Sequence, residues 1–302
     1  WYTDKDNNSL YEISIGSENG SVEANTNGAG MFAYLDNVSS LDLSGLDTSN
    51  MTSMSRMFYN STSLTNIDLS GFDTSKVVNM SHIFDGCSNL ENVDLSNFNT
   101  SNVINMEGVF RNDTNLKEIK LGDNFKTNKV TTMLAMFASC SSLKRVDLSN
   151  FDTSNVTTMQ SMFYKCENLE LLDLSSFKTN KVTNMYCMFA YCTSLKTINL
   201  TSFDTSKVTT MQSMFLLCKS IEMLDLSTFT TDSATNIMYM FDTCSSLKSL
   251  DIRNASFSSV SKNTSAFNVV NSNVVVYVKN DTEKEFIINT IKNIISDNVI
   301  AG

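Results

Sequence analysis

The stretch "VDLSNFDTSNVTTMQSMFYKCENL", Val146–Leu169, contains most of one unit that recurs along this chain. Its first half alternates apolar and polar residues, which is typical of a short β-strand. Its second half carries apolar residues at helical spacing, namely Met159, Met162, Phe163 and Cys166. The unit therefore predicts one strand followed by one short helix, with Asp, Thr or Ser of "DTS" capping the helix.

The phenylalanine of "MF" recurs every 26 residues, with one step of 27 where a residue is inserted between Leu121 and Phe125. The aligned residues are Phe32, Phe58, Phe84, Phe110, Phe137, Phe163, Phe189, Phe215, Phe241 and Phe267. A strand and a short helix cannot bury their own apolar face, so stacked copies must form the core. We therefore predict an α/β fold, a right-handed solenoid of the leucine-rich-repeat type. It has about ten 26-residue strand-plus-short-helix repeats and a parallel sheet on its concave face.

The two ends of the chain depart from the repeat and predict caps. We divide the chain into an N-terminal cap (1–30), a solenoid (31–267) and a C-terminal cap (268–302). "YEISIG" and "GSENGS" predict a hairpin in the first cap. The last cap reads as a strand and an amphipathic helix, in which Thr282 and Glu285 have capping-box spacing. Because the chain begins with Trp1, we expect a piece of a longer protein.

The composition limits the classes of partner. A formal net charge of −10 and a pI near 4.6 disfavour binding to nucleic acid. No apolar run approaches the roughly 18 residues that suggest a membrane-spanning helix. The chain has no proline and only 10 glycines, so Asn, Asp, Ser and Thr must form its turns.

Sulfur-containing side chains line one face of the predicted helix. Met159, Met162 and Cys166 have the soft sulfur atoms that Cu(I) prefers. However, Ile, Val and Ala replace Met in other copies, and Ser61 and Asp113 replace Cys. A ligand set would not tolerate such changes, so core packing is favoured and no metal or cofactor is predicted. We expect buried, unpaired thiols, except for an exposed Cys187.

An acidic column follows the predicted strands: Asp42, Asp68, Asp94, Asp147, Asp173, Asp225 and Asp251. One interpretation is an acidic groove for a basic protein segment or for sugar hydroxyls. The interpretation that we favour is a solvated polar ladder that prevents aggregation of the concave face. A linear ladder does not surround one point with the six to eight oxygens that Ca²⁺ requires, so calcium is disfavoured.

Variable positions beside the phenylalanine column gather aromatic and aliphatic residues in the later copies. These candidate binding residues are Tyr164, Tyr186, Tyr191, Leu216, Leu217 and Tyr239. Contiguous apolar surface with tyrosine often marks a protein interface. The same residues are also compatible with packing against a neighbouring domain, or with filling gaps between helices.

The pattern "L-x-x-L-x-L" followed by "F-D-T-S-x-V-x-x-M-x-x-M-F-x-x-C" resembles the BspA-like leucine-rich-repeat surface proteins of bacteria. The resemblance covers about residues 28–278 and is weakest at "IKLGDNFKTNK" and "NASFSSVSKNTSAF". It implies a solenoid displayed on a cell surface or outside the cell, with members commonly viewed as adhesins. It supplies no catalytic residues.

Three classes of function remain to be compared. The only histidine, His82, lies at a variable position, and no nucleophile–base pattern accompanies it, so we expect no enzyme. The leading hypothesis is a recognition module that binds a host or matrix protein or a glycan. The alternative is a structural spacer that projects another domain from the cell surface.

Overall fold

The computed structural model describes residues 2–3, 10–16 and 20–302, in two compact units, Trp1–Val146 and Asp147–Gly302. Each unit is a parallel β-solenoid in which the strands of successive repeats lie side by side. The predicted parallel stacking is confirmed, because pairs such as Leu41 with Ile67 and Leu224 with Leu250 join equivalent positions of adjacent repeats.

The strands of the first unit are short. They are β1 (Tyr2–Thr3), β2 (Tyr11–Ser14), β3 (Val22–Glu23), β4 (Val38–Asp42), β5 (Leu46–Asp47), β6 (Asn66–Asp68), β7 (Asn92–Leu95) and β8 (Glu118–Leu121). β1 pairs antiparallel with β2. β2 pairs parallel with β4, and β3 pairs parallel with β5. "YEISIG" thus extends the parallel sheet, and residues 17–19 of "GSENGS" lie outside the described residues.

The second unit ends in a strand–helix–strand segment. Its elements are β9 (Leu171–Asp173), β10 (Thr197–Asn199), β11 (Met223–Asp225), β12 (Ser249–Asp251), β13 (Val275–Val278), α1 (Asp281–Thr290), a 3₁₀ turn (Ser296–Asn298) and β14 (Val299–Ala301). The predicted cap at Thr282 is wrong, because the Asn280 side chain accepts from the Glu283 N–H instead. The Glu283 carboxylate is buried and accepts from the Phe257 N–H, which anchors α1 to the preceding repeat.

The predicted short helix of each repeat is also wrong: this half of the unit is a series of tight turns. Two columns, two residues before and two after the phenylalanine, have positive φ angles. In the second unit these residues are Ser161, Lys165, Cys187, Tyr191, Ser213, Leu217, Tyr239, Thr243, Ser265 and Val269. A left-handed residue at this spacing interrupts a right-handed helix at every turn.

Alternate backbone amides of this segment serve two different purposes. The amides of Met57 and Tyr59 donate to the carbonyl three residues earlier, which closes tight turns. The amides of Arg56, Phe58 and Asn60 donate to the next repeat at 2.7–2.9 Å. The turns are thus cross-linked between repeats as a parallel sheet is, so the apolar face can be buried without a helix.

The predicted core columns are confirmed. The methionines one and four residues before the phenylalanine are buried, except Met31, which is 38% exposed. The phenylalanine rings stack within each unit at centroid distances of 5.0–5.8 Å. The threonine of "DTS" is buried too. The Thr179 hydroxyl donates to the Asp204 carbonyl at 2.8 Å and accepts from the Asp204 N–H at 2.8 Å. This side chain therefore links consecutive repeats, a role beyond the predicted turn formation.

Candidate recognition surface

The six predicted binding residues lie on the turn segments that flank the phenylalanine column of the second unit. Tyr164 and Leu216 directly follow the phenylalanine, and Tyr191 and Leu217 occupy the next position. Tyr186 and Tyr239 precede it. All six are half-buried, so each is packed against neighbours and still presents part of its surface to solvent.

Tyr164, Lys165 and Tyr191 form a defined aromatic–cation group. The two tyrosine rings meet edge to face, with centroids 5.5 Å apart and an interplanar angle of 76°. The Lys165 Nζ lies 5.4 Å from the Tyr164 centroid and 5.8 Å from the Tyr191 centroid. The ring quadrupoles favour both the edge-to-face contact and the position of the ammonium group. These contacts hold the three side chains in fixed positions relative to one another.

The backbone holds this group firmly in place. The Lys165 N–H donates to the Ala190 carbonyl at 2.8 Å, and the Tyr191 N–H donates to the Leu216 carbonyl at 2.7 Å. Tyr191 and Leu217 both have left-handed φ angles, 65° and 63°, which are uncommon for large side chains. The structure thus brings Tyr164, Lys165, Tyr191 and Leu216 onto successive, hydrogen-bonded repeats. We call these four residues the tyrosine–lysine surface.

Tyr186 and Tyr239 precede the phenylalanine column, on the other side of it from the tyrosine–lysine surface. Tyr186 hydrogen-bonds the side chain of Cys187, and this bond raises the pKa of the Tyr186 hydroxyl. Cys187, predicted to be exposed, is only 6% exposed, and burial raises the pKa of its thiol. That expectation assumed the outer face of a helix, whereas Cys187 lies in a tight turn with a φ of 54°.

A similar aromatic–cation group in the first unit was missed in the sequence. Tyr34 and Tyr59 meet edge to face at 5.5 Å and 77°, and the Arg56 guanidinium lies 5.8 Å from the Tyr59 centroid. Tyr34 is 63% exposed, more than any residue of the tyrosine–lysine surface. The sequence feature that could have predicted this group is the recurrence of tyrosine one and two residues after the phenylalanine, as at Tyr59 and Tyr34.

The acidic ladder is organised by local turns. Asp68 Oδ1 accepts from the Ser70 N–H at 2.9 Å, and equivalent bonds recur at Asp42, Asp94, Asp147, Asp173 and Asp225. These bonds lower the pKa of each carboxyl group. For Asp94 the pKa falls to about 2, chiefly because Lys120 Nζ donates to it at 2.8 Å.

The ladder is not uniformly anionic. Lys120 neutralises its neighbour Asp94, and the Arg253 guanidinium binds the Asp251 carboxylate at 2.6 Å. Two apolar side chains lie beside the acidic column on the strand face: Leu171 is 58% exposed and Met223 is 72% exposed. Both stand where the alternation of a strand predicts a polar side chain, so their exposure as apolar groups is a finding of the structure.

The sulfur column lies in the core. Six of the seven cysteines recur three residues after the phenylalanine, and all seven are buried thiols. Within residues 2–3, 10–16 and 20–302, no group of three or more His, Cys, Asp or Glu side chains is arranged to hold a metal ion. In the same part of the chain, no helix has the length and apolar character needed to cross a bilayer.

These features define a protein of the leucine-rich-repeat type, built from parallel β-solenoid units whose variable side chains lie beside recurring core columns. The chain belongs to the family described as "Mycoplasma protein of unknown function, DUF285", which matches residues 26–123, 117–199 and 172–276. No curated protein is detectably similar to it.

Solved structures of other repeat proteins are distantly similar. A leucine-rich repeat protein from Bacteroides ovatus is 18% identical, with a TM-score of 0.35, over 92% of this chain and 77% of that one. The pneumococcal vaccine antigen PcpA is 13% identical, with a TM-score of 0.35, over 97% and 94%. A leucine-rich cell surface protein from Faecalibacterium prausnitzii is 15% identical, with a TM-score of 0.30, over 97% of each chain.

Proposed function

We propose that this protein is a non-catalytic recognition module of the BspA-like, adhesin type, displayed on a bacterial cell surface. It binds a host or matrix protein, or a glycan, through the tyrosine–lysine surface. The observation that carries this proposal is the pre-assembled contact of Tyr164, Lys165 and Tyr191. Tyrosine supplies amphipathic contact area with few rotatable bonds and is enriched at binding hot spots.

The rigidity of this surface supports a binding role. Its side chains are attached to backbone segments that are hydrogen-bonded between repeats, so little conformational freedom remains to be lost on binding. Leu216 and Leu217 add apolar area next to the rings. An apolar strip beside an aromatic–cation group favours a protein segment with its own apolar side chains as the partner.

The surroundings of His82 support the absence of catalysis. Its Nδ1 lies 2.9 Å from Asp85 Oδ2, and its Nε2 lies 3.5 Å from Glu107 Oε1. Both ring nitrogens therefore face carboxylates, and neither is directed at a hydroxyl or thiol that it would activate. We assign His82 to a local polar cluster.

The experiment that tests the proposal is a binding screen of the intact chain against matrix proteins and a glycan array. Every ligand found is then measured with a Tyr164→Ser/Tyr191→Ser/Leu216→Ser variant. We expect loss of binding with an unchanged melting temperature. Unchanged binding by the folded variant would reject this surface as the ligand site.

The alternative function is a structural spacer, and the hydrogen bonds between repeats favour it, because they stiffen each unit along its stack. A spacer needs no ligand of its own. Two results together would favour the spacer. The intact chain binds nothing in the screen, and a longer protein that contains this chain still presents its other domains when the six predicted binding residues are changed to serine.

A further inference from the structure

Three polar side chains in the column three residues after the phenylalanine make the same hydrogen bond in the first unit. Each side chain donates to the carbonyl oxygen of the phenylalanine one repeat earlier. The observed bonds are Ser61 Oγ to Phe32 O (2.8 Å), Cys87 Sγ to Phe58 O (3.0 Å) and Cys140 Sγ to Phe110 O (2.9 Å). A hydroxyl and a thiol are interchangeable here because each offers a proton to a buried acceptor.

Asp113 occupies the same column between Cys87 and Cys140, but it does not make this bond. It is completely buried, and neither carboxylate oxygen has a hydrogen-bond partner. The nearby amides of Gly86 and Cys87 favour the charged form, but they already donate to Arg111 O and Phe84 O at 2.8 Å. An ionised carboxylate without a partner is strongly disfavoured in such a site.

A second carboxylate lies next to Asp113. Asp85 is 4% exposed and accepts from Asn112 Nδ2 at 2.9 Å, while its other oxygen faces His82 Nδ1 at 2.9 Å. Both carboxylate oxygens of Asp85 therefore have hydrogen-bond partners. Burial, and then the charge of Asp85, raise the pKa of the Asp113 carboxyl well above its ordinary value.

The other titratable groups that face Asp113 are the thiols of Cys87 and Cys140. Burial raises the pKa of both thiols well above their ordinary range, so both stay protonated and neutral around neutral pH. Beyond Asp85, the cluster continues through His82 to Glu107 at the surface. None of these five side chains places a positive charge in direct contact with the Asp113 carboxyl group.

We propose that Asp113 holds a proton in the folded protein and donates it to the carbonyl oxygen of Phe84, as the thiols and the hydroxyl of its column do. The proton comes from solvent and returns to solvent when the pH rises. Its loss leaves a carboxylate buried beside Asp85. The first unit is therefore more stable in mildly acidic than in alkaline surroundings.

The sign of the effect follows from linkage. The folded-state pKa of Asp113 lies above the value of about 3.9 for an unfolded aspartate. The contribution of Asp113 is therefore fully present below about pH 4 and is lost as the pH rises through the folded pKa. Within that window, the unfolding equilibrium constant rises by up to about tenfold per pH unit.

The test compares thermal unfolding of the wild type with Asp113→Cys, which restores the commonest residue of the column, and with Asp113→Ser, which copies Ser61. Between pH 5 and pH 8, we expect the melting temperature of the wild type to fall relative to both variants. The difference should be smallest at pH 5. Curves that remain parallel across this range would overturn the proposal. The same comparison is repeated with His82→Gln in each background. This change removes the imidazole next to Asp85, so that a remaining pH dependence is assigned to Asp113.

A second measurement does not depend on the folding of any variant. Infrared spectroscopy of the native wild type at pH 7 should show the carbonyl stretch of one protonated carboxyl group, since exposed acids are ionised at this pH. Asp113→Asn should remove that band. The absence of a protonated carboxyl band from the native wild type would show that Asp113 is ionised and would refute the proposal.

Discussion

The Sγ of Cys218 donates a hydrogen bond to the carbonyl oxygen of Phe189, 29 residues earlier, at 3.2 Å. Cys244 has the same relationship with Phe215 at 3.2 Å. Each of these cysteines thus packs in the core and donates a second hydrogen bond to a buried carbonyl, which also accepts from the backbone N–H of the preceding cysteine. Ser61 replaces cysteine without loss of the donor, whereas the aliphatic residues Leu35 and Val270 occupy this column in the first and last repeats.

Replacing Cys218 separates these two contributions. Cys218→Ala removes the donor and leaves a small cavity, so we expect the free energy of unfolding to fall by about 1–3 kcal/mol. Cys218→Ser keeps a hydrogen-bond donor, as at Ser61, so its free energy of unfolding should fall by less than that of Cys218→Ala. Urea unfolding of both variants checks this order, and an equal loss for both would show that the hydrogen bond contributes nothing.

The thiols should resist chemical modification in the folded protein. All seven are buried, and burial raises the pKa of Cys192 and Cys244 to about 12. The thiolate is the reactive form, so we expect almost no alkylation of the native chain at pH 7.5 and seven adducts after denaturation without reductant. Intact mass provides the measurement. Rapid modification of native Cys187 would contradict its buried position.

Val269 offers a test of the left-handed turn positions. Its φ is 54°, which is costly for a β-branched residue, and its side chain is 59% exposed. Val269→Asn should raise the free energy of unfolding by roughly 1 kcal/mol, because asparagine tolerates this conformation better and little burial is lost. Val260→Asn, a change of the same side chains at a residue without a left-handed φ, is the control and should give no gain.

The acidic ladder should stabilise the fold only above acidic pH. The pKa of Asp94 is lowered to about 2, so its contribution is present above about pH 4 and is lost as the pH falls toward 2. We expect Asp94→Asn to flatten the fall in melting temperature between pH 4 and pH 2. Added salt should reduce the difference, because the Lys120–Asp94 pair is exposed. An unchanged slope would contradict a stabilising role.

The periodic part of the structure could be predicted from the sequence. The 26-residue step fixes which residues stack, so the strand register and the buried Met, Phe and Cys columns follow from it. The spacing of "M-x-x-M-F-x-x-C" fits a helix, but it fits successive three-residue turns equally well. Side chains such as Tyr191 and Leu217 give no local signal for a positive φ, which is why a helix was wrongly expected.

The candidate surface was predictable only in part. Sequence position identified which columns lie outside the core, but the contacts among their side chains depend on the turn geometry. Tyr34 was overlooked for this reason, although its ring packs against Tyr59. Buried exceptions such as Asp113 are visible in the sequence as a substitution, while their lack of a partner is visible only in three dimensions.

The central claim is that the core columns build the fold and the tyrosine–lysine surface binds the partner. The most direct test compares Tyr164→Ser/Tyr191→Ser with the matched Tyr34→Ser/Tyr59→Ser, which disrupts the similar ring pair of the first unit. Calorimetry with the identified ligand should show at least about a tenfold weaker Kd for the first variant only, with similar melting temperatures for both. Equal affinity of the two variants for that ligand would contradict the claim.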